Sequence, residues 1–326
     1  MSRRPRRRRT FISASNSRKE LPGLYAEDDF EENVESFIRT QKSKNLSNFT
    51  IKYYRNTLYS FMSILEKQGA TTRLRRITGD MIEDLYVSYL LDVKRLKYTS
   101  IASGLRSLRA FFNWAKGRGI IEESPMKYVK ISKPDSRELE TFSREQIREL
   151  LQQPDLETFV GFRDYVIMIV LLETGIRLRE LTDIDIHDIR WQDSQILIRG
   201  KNGEDRLVPF QQQTRRVLKN YLKVRGDSFT DALFISRDDD RISRKAIQDR
   251  ISKYGRMANI KNVRCSPHTF RHTFAKMSVR NGADIFTLQK ILGHKSLEMV
   301  RIYVNMFSSE VSEAHRKFSP VENLRI

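Results

Sequence analysis

The sequence predicts a mainly α-helical protein of two domains, with one small antiparallel β-sheet in the second domain. The chain has 326 residues, which exceeds the length of one average domain. Apolar residues recur at helical spacing along most of the chain, whereas residues 184–210 alternate in the manner of strands. Hydrophobic residues make up 39% of the chain, which is enough to form packed cores and excludes global disorder.

Residues 27–117 carry four helical stripes, which predicts a small all-α domain. Apolar side chains share one helix face in residues 30–38, 51–65, 82–89 and 101–112. Gly69 is a suitable residue to end the second helix, because glycine adopts the left-handed conformation without strain. Thr78 or Asp80 can cap the third helix, since both side chains accept hydrogen bonds from exposed backbone N–H groups.

Residues 118–137 are interrupted by Pro125, Pro134 and several lysines, so we interpret them as a connector with little structure. The second domain is expected to cover residues 138–326. Ser143 begins a capping-box pattern, which marks the start of its first helix.

The second domain begins as helix, continues as strands and returns to helix. An apolar helix over residues 160–173 should end at Gly175, and Arg177 should open a new short helix. Strands are expected near residues 186–191, 196–198 and 207–208, with Gly200 and Gly203 at the turn between the last two. Further helices are predicted over residues 211–224, 243–258, 269–280, 283–291, 296–305 and 309–317.

The charge of the chain indicates a polyanionic partner. The net charge is +19, and the basic residues are spread over the whole length, which favours double-stranded DNA over a merely soluble basic protein. A single cysteine, Cys265, permits no intrachain disulfide and fits a reducing compartment. The sequence has no run of about 18 apolar residues, so a membrane is not expected as a partner. We therefore expect a cytoplasmic, nucleoid-associated protein.

Two basic segments are predicted to contact DNA. Residues 1–26 form an arginine-rich arm in which like charges repel and favour an extended chain, although a solvated tail or a localisation signal would have the same composition. The fourth helix of the first domain has basic residues on its polar side. The predicted DNA-binding residues are Arg3, Arg4, Arg6, Arg7, Arg106, Arg109 and Lys116.

Residues that suit phosphodiester chemistry without a metal or cofactor follow one another in the second domain. Arg177 and Arg271 are candidates to bind the scissile phosphate, because guanidinium groups are always charged and bidentate. Tyr303 is the candidate nucleophile, since a phosphotyrosyl ester would conserve the energy of the broken bond. Its phenol has an ordinary pKa near 10, so it needs nearby donors and cations.

Three further residues are candidates for proton transfer and hydrogen bonding. Lys201, on the hairpin turn, is a candidate general acid for the leaving 5′ oxygen, although an exposed turn lysine would look the same. His268 lies one helical turn before Arg271 and could exchange a proton with the tyrosine or the leaving group. His294 could donate a hydrogen bond to phosphate.

This combination resembles the tyrosine recombinases, also called the phage-integrase family. Residues 174–181 are similar to the first arginine box of the family, residues 198–209 to its lysine hairpin and residues 268–275 to its His-x-x-Arg box. Leu292-Gly293-His294 and Tyr303 complete the pattern, and the resemblance covers about residues 27–320. It implies an N-terminal SAM-like four-helix core-binding domain, an α-rich catalytic domain and a supporting role for Glu180.

The resemblance also implies a mechanism and an assembly. A homo-tetramer would join two DNA duplexes at sites with inverted half-sites, form 3′-phosphotyrosyl links and resolve a Holliday junction. About 26 residues precede the core-binding domain, so the layout is closer to Xer-type and transposon recombinases than to integrases with a folded arm-binding domain. Integration, excision or transposition of a mobile element is the expected task, and Xer-type dimer resolution is the alternative.

Three other interpretations remain open at this point. A DNA-binding regulator would use the same basic groups without cleavage, and a type IB topoisomerase would use the same chemistry without site preference. Cys265, His268 and His272 also have the spacing of zinc ligands. Structural zinc sites usually need four ligands and the chain has one cysteine, so we expect no metal site.

Overall fold

The computed structural model describes residues 28–131, 139–200, 203–294 and 296–304, without the side chains of Met299 and Val304. Several sequence predictions lie outside the described residues: the arm with Arg3, Arg4, Arg6 and Arg7, the hairpin residue Lys201 and the final helix over 309–317. The chain divides into two compact units between Ser136 and Arg137.

In the residues that the structure describes, the first unit contains three α-helices and a π-helical segment. The elements are α1 (Phe30–Ser43), α2 (Asn48–Lys67), the π-helical turns Met81–Val87 and Tyr89–Val93, and α3 (Tyr98–Gly117). Side-chain oxygens cap the first two helices, since Asp29 accepts from Glu32 N and Ser47 from Thr50 N. Short polar residues therefore set the starts of α1 and α2, whereas Lys97 precedes α3 without a side-chain cap.

The core of the first unit is rich in aromatic rings. Phe30, Phe37, Phe61, Phe111 and Phe112 are each no more than 1% exposed. The ring of Phe111 lies 5.3 Å from those of Phe30 and Phe112 and 5.5 Å from that of Phe37, at tilted or edge-on angles. Burying each of these side chains contributes about 2–3 kcal/mol, so the five rings make a substantial contribution to the stability of the unit.

The third helical stripe differs from its expected conformation. The sequence predicts an ordinary helix there, and Thr78 does cap it by accepting from Met81 N. The turns that follow are π-helical, which is a rare conformation. Ile82, Tyr86 and Leu90 are buried at intervals of four residues. An α-helical turn contains 3.6 residues, slightly fewer than this spacing of four. A wider helix, with more residues per turn, can therefore also direct these three side chains toward the core.

Residues after α3 extend the first core, where the sequence suggested a connector with little structure. Ile120, Ile121, Met126 and Val129 are buried within the same cluster as the helices. Pro125 begins a short 3₁₀ turn, Pro125–Lys127. These four apolar residues are too few to form a periodic pattern, and the prolines and lysines among them suggested a connector.

The second unit surrounds a three-stranded sheet with eight helices in the described residues. The helices are α4 (Arg144–Leu151), α5 (Phe159–Thr174), α6 (Leu178–Thr182), α7 (Gln212–Arg225), α8 (Arg244–Met257), α9 (Pro267–Arg280), α10 (Ile285–Leu292) and α11 (Glu298–Val304). The strands are β1 (Ile189–Arg190), β2 (Gln195–Ile198) and β3 (Arg206–Pro209). The sheet is antiparallel in the order β1-β2-β3, with Ile196 opposite both Ile189 and Val208.

Helix α5 is the central element of the second core. It is apolar on most sides and packs against α7 and α9, so it is buried within the unit. It ends at Gly175, whose φ of 59° is left-handed, and Arg177 caps the next helix as the sequence predicted. A Cβ atom at Gly175 would lie 2.3 Å from the ring of Phe274 on α9, so glycine permits this close approach. The end of α5 thereby meets α9, which carries the candidate site.

None of the helices in the described residues has the length and apolar character needed to cross a membrane.

Candidate active site

Arg177 is fixed at the start of α6 by two hydrogen bonds that it donates to Glu180. Arg177 N donates to Glu180 Oε2 over 2.8 Å, and Arg177 Nη1 donates to Glu180 Oε1 over 2.9 Å. The Arg177 side chain is 42% exposed, whereas that of Glu180 is 10% exposed. The carboxylate therefore orients a guanidinium that solvent, or a ligand, can still reach.

Arg206 on β3 binds the same carboxylate. Its Nη2 lies 2.7 Å from Glu180 Oε2 and its Nη1 lies 3.2 Å from Glu180 Oε1. Burial alone would raise the pKa of Glu180, but the hydrogen bonds from Arg206 and from the backbone of Arg177 outweigh it and hold that pKa below its ordinary value. Glu180 is therefore a fixed negative charge between two arginines.

The carboxyl end of α10 is the common acceptor for three arginines. Arg206 Nε donates to Ile291 O over 2.8 Å. Arg271 Nη2 and Arg177 Nη1 both donate to Leu292 O, over 2.7 and 3.5 Å, and Arg177 Nη2 donates to the next carbonyl over 3.2 Å. The last carbonyls of a helix have no partner within the helix and carry partial negative charge, so they attract cations. This helix end gathers arginines that are distant in sequence.

Arg271 lies deeper than Arg177. It is 5% exposed, and its Nη1 donates to Gly175 O over 2.6 Å. Burial, followed by the nearby charge of Arg177, lowers the pKa of Arg271 to about 10. The guanidinium remains charged at neutral pH and is held by the ends of α5 and α10.

His294 completes this cluster through Arg271. Arg271 Nη2 donates to His294 Nε2 over 2.7 Å, so His294 Nε2 accepts and the proton of the neutral ring lies on Nδ1. His294 Nδ1 is buried and has no hydrogen-bond partner. Burial and the charges of Arg271, Arg177 and Arg206 lower the pKa of His294 to about 4. The ring is thus a neutral N–H donor at physiological pH.

Tyr303 on α11 lies against α9 and is 3% exposed. Its Oη lies 2.8 Å from His272 Nδ1, and the two ring centroids are 5.8 Å apart. Burial raises the pKa of Tyr303, while the charges of Arg271 and Arg177 oppose that rise. The phenol is therefore protonated at neutral pH and lies within the field of both arginines.

The predicted site residues occupy different positions within this arrangement. Arg177, Arg271, His294 and Glu180 meet at the end of α10. His268 lies in the first turn of α9, where partial burial and the charges of Arg271, Arg264 and Arg177 lower its pKa. The hydrogen bond of the Tyr303 phenol goes to His272, whereas the sequence suggested that His268 exchanges a proton with either the tyrosine or the leaving group.

The predicted DNA-binding residues of α3 differ from one another. Arg106 and Lys116 are exposed. Arg109 Nη2 donates to Val129 O over 2.7 Å, so Arg109 also holds the segment that follows α3.

Sequence reasoning gave Arg206 no role and considered His272 only as a zinc ligand. His272 lies four residues after His268 and next to Arg271, so helical spacing already placed the three on adjoining positions of α9. Arg206 gave no such signal, because its partners come from α6 and α10. In the described part of the chain, no group of three or more His, Cys, Asp or Glu side chains could hold a metal ion.

Each of the two units matches a known protein family. Residues 140–310 match the phage integrase family, and residues 34–119 match the phage integrase N-terminal SAM-like domain. The chain is 30% identical to tyrosine recombinase XerD of Shewanella oneidensis, covering 85% of this chain and 93% of the relative. It is 28% identical to tyrosine recombinase XerC of Oceanobacillus iheyensis, covering 89% and 96%.

Solved structures share the fold. The XerH site-specific recombinase bound to its palindromic difH substrate superposes with a TM-score of 0.70 and 20% identity, covering 87% of this chain and 83% of that one. The Tn1549 transposon integrase in complex with a circular intermediate DNA gives a TM-score of 0.70 and 18% identity, covering 83% and 93%. At these identities the likeness establishes the fold: a SAM-like helical domain and an α-rich domain with a small sheet.

Proposed function

This chain belongs to the phage integrase family and is a tyrosine site-specific recombinase, and we propose that Tyr303 is its nucleophile. One observation carries this proposal: Arg177 and Arg271 donate to the same carbonyl, Leu292 O, within the electrostatic reach of Tyr303. Two fixed guanidinium groups and a phenol within one site are the requirements of metal-free phosphodiester cleavage.

The two arginines would stabilise the charge that builds on the phosphate as it becomes five-coordinate. Arg177 is the exposed member and would make the first contact with a phosphate. Arg271 is preorganised by two backbone carbonyls and His294, so it needs little rearrangement during the reaction. Preorganised donors of this kind each contribute about 3–4 kcal/mol to the transition state.

The leaving 5′ oxygen needs a proton as the phosphotyrosyl ester forms. We assign this role to Lys201, with His268 near the same arginines as a second donor. His294, a neutral ring with an Nδ1–H that has no hydrogen-bond partner, is the proposed donor to the phosphate. Glu180 supports Arg177 through its two hydrogen bonds.

Double-stranded DNA is the proposed partner, bound at sites with inverted half-sites by a homo-tetramer that passes through a Holliday junction. The XerH and Tn1549 proteins of the same fold are described in complex with DNA. The basic arm, Arg106, Arg109 and Lys116 would neutralise phosphates of the DNA backbone. The site of action would be the nucleoid in the cytoplasm.

Mobile-element integration, excision or transposition is the proposed task, because the arginine-rich arm suits independent engagement of target DNA. Xer-type dimer resolution is the second candidate. It is favoured by the XerC and XerD relatives, which match over nearly their whole length. Sequencing the DNA that flanks the gene discriminates between them, since inverted half-sites beside the coding region would indicate a mobile element.

The test of the nucleophile is a nicked suicide duplex that traps the covalent adduct. The unmodified protein should form the adduct, Tyr303→Phe should form none, and Tyr165→Phe, elsewhere in the same unit, should behave like the unmodified protein. An adduct that persists in Tyr303→Phe refutes the assignment. Equal cleavage in excess chelator would exclude the zinc interpretation.

A further inference from the structure

We propose that His272 is the proton acceptor for the nucleophile, which rests on the proposed function and adds a residue to it. As Tyr303 Oη attacks phosphorus, its O–H bond breaks and an N–H bond forms at His272 Nδ1. The Oη–P bond forms while the P–O5′ bond breaks, and the 5′ oxygen receives a separate proton from the general acid. In the rejoining step, His272 returns its proton to the departing phenol.

The geometry of the pair is suited to this transfer. The distance of 2.8 Å between Oη and Nδ1 is within the range of a strong hydrogen bond, so proton transfer needs no rearrangement of the pair. His272 follows Arg271 directly on α9, and α9 packs against α11. The base and one phosphate-binding group are therefore fixed on the same helix.

The surroundings of the pair keep both partners neutral before a phosphate binds. His272 is surrounded by His268, Arg271, His294 and Tyr303. Burial, then His268 and Arg271, lower the pKa of His272, so its ring is neutral at pH 7. The pKa of the phenol is raised by its burial, so Tyr303 keeps its proton at pH 7. In the proposed arrangement, the proton of the neutral His272 ring lies on Nε2, which leaves Nδ1 to accept from the phenol. The hydrogen bond along which the proton would move is thus already present before a phosphate binds.

The other histidines of the site are less suited to this task. His294 Nε2 already accepts from Arg271, and its Nδ1 carries a proton. His268 lies in the first turn of α9, and the phenol contacts the ring one turn further along. Assigning the base to His272 leaves His268 free to serve the leaving group.

The same electrostatics make the base respond to substrate. An imidazolium at position 272 would lie beside Arg271, so like-charge repulsion disfavours proton transfer while the site is empty. Negative charge that builds on a bound phosphate would offset this repulsion. The nucleophile would therefore ionise only when a phosphate occupies the two arginines.

The test uses the full chain and the nicked suicide duplex. His272→Ala and His272→Asn should each slow adduct formation by about 100-fold or more, because general-base catalysis typically contributes 10²–10⁴. Asparagine retains a hydrogen-bond acceptor of similar size but cannot take up a proton. A His272→Asn protein that forms the adduct at the unmodified rate would overturn the proposal. His187→Ala, an exposed histidine of the same unit, is the matched control and should be unchanged.

A second measurement separates proton acceptance from a structural role. Fluorotyrosine incorporated at position 303 has a more acidic phenol, so it should recover at least 10-fold of the rate lost in His272→Asn. Absence of this rescue in a variant that still binds DNA and unfolds at the unmodified temperature contradicts the proposal. A 5′-phosphorothiolate leaving group should rescue Lys201→Ala and leave His272→Asn slow. Rescue of His272→Asn by the phosphorothiolate would show that His272 protonates the leaving 5′ oxygen instead of accepting the proton of Tyr303.

These outcomes are distinguishable from failure of the proposed function. If the unmodified protein forms no adduct on a duplex that it recombines, the nucleophile assignment fails. If the adduct forms through Tyr303 and His272→Asn is as fast as the unmodified protein, the recombinase mechanism stands and the proton acceptor is another group.

Discussion

The aromatic core of the first unit and the arginine cluster of the second are both buried, but different forces hold them. The first consists of phenylalanine rings that contact one another without directional bonds. The second consists of Arg271, Arg206, Glu180 and His294, which are held by directional hydrogen bonds between specific polar atoms. The comparison teaches that apolar packing tolerates approximate shape, whereas the cluster depends on the identity of each polar atom.

The largest expected effect is on catalysis, from Arg271→Lys. The lysine keeps the positive charge but loses the planar fork that reaches Gly175 O, Leu292 O and His294. We expect adduct formation to fall about 10²–10³-fold, in line with the loss of a preorganised donor. Rates on the suicide duplex measure this. Phe111→Leu, a conservative change in the aromatic core, should alter the rate less than 3-fold, and a similar loss in both variants would contradict the comparison.

The next effect is on stability, from Phe111→Ala. Phe111 is fully buried and contacts four other rings, so its truncation should lower the free energy of unfolding by about 3–5 kcal/mol. Urea denaturation followed by circular dichroism measures the change. Arg177→Ala, at a half-exposed side chain, should cost about 1 kcal/mol while abolishing cleavage.

A matched glycine pair sharpens the comparison further. Gly175 and Gly69 both follow helices with left-handed φ angles, 59° and 67°. A Cβ at Gly175 would meet Phe274 at 2.3 Å, whereas none of the described atoms lies within 4 Å of a Cβ at Gly69. Gly175→Ala should therefore cost about 2–4 kcal/mol, from backbone strain plus a clash, and Gly69→Ala about 1 kcal/mol. Equal melting temperatures for the two variants would show that the site is less tightly packed than described.

The smallest effect concerns pH. Because the folded pKa of Glu180 is depressed, its contribution to stability is present above the ordinary value near 4.3 and is lost as pH falls through the folded pKa. Glu180→Gln should lower stability at pH 7 and weaken the dependence of unfolding on pH below about 4. Glu149→Gln, on the exposed face of α4, is the control and should retain the unmodified pH profile. If Glu180→Gln shows the same pH dependence of stability as the unmodified protein, the ion pairs of Glu180 do not stabilise the fold.

The same comparison explains what the sequence could predict. Helical stripes located α1, α2 and α3, and capping residues such as Ser143 located helix starts, because both are local signals. The order of Arg177, Arg271, His294 and Tyr303 indicated the chemistry. The convergence of Arg206 on Glu180 and the contact of Tyr303 with His272 are long-range in sequence, and no periodicity encodes them. The apolar residues 120, 121, 126 and 129 were too few to register as a pattern.

The central claim is that the phenol of Tyr303 becomes esterified to a DNA strand. Mass spectrometry of the adduct trapped on a nicked suicide duplex tests this most directly, after digestion with protease and nuclease. The account predicts a single peptide that contains Tyr303 and carries a nucleotide through its 3′ phosphate. A nucleotide on any other side chain, or no nucleotide on a duplex that the protein recombines, would contradict it.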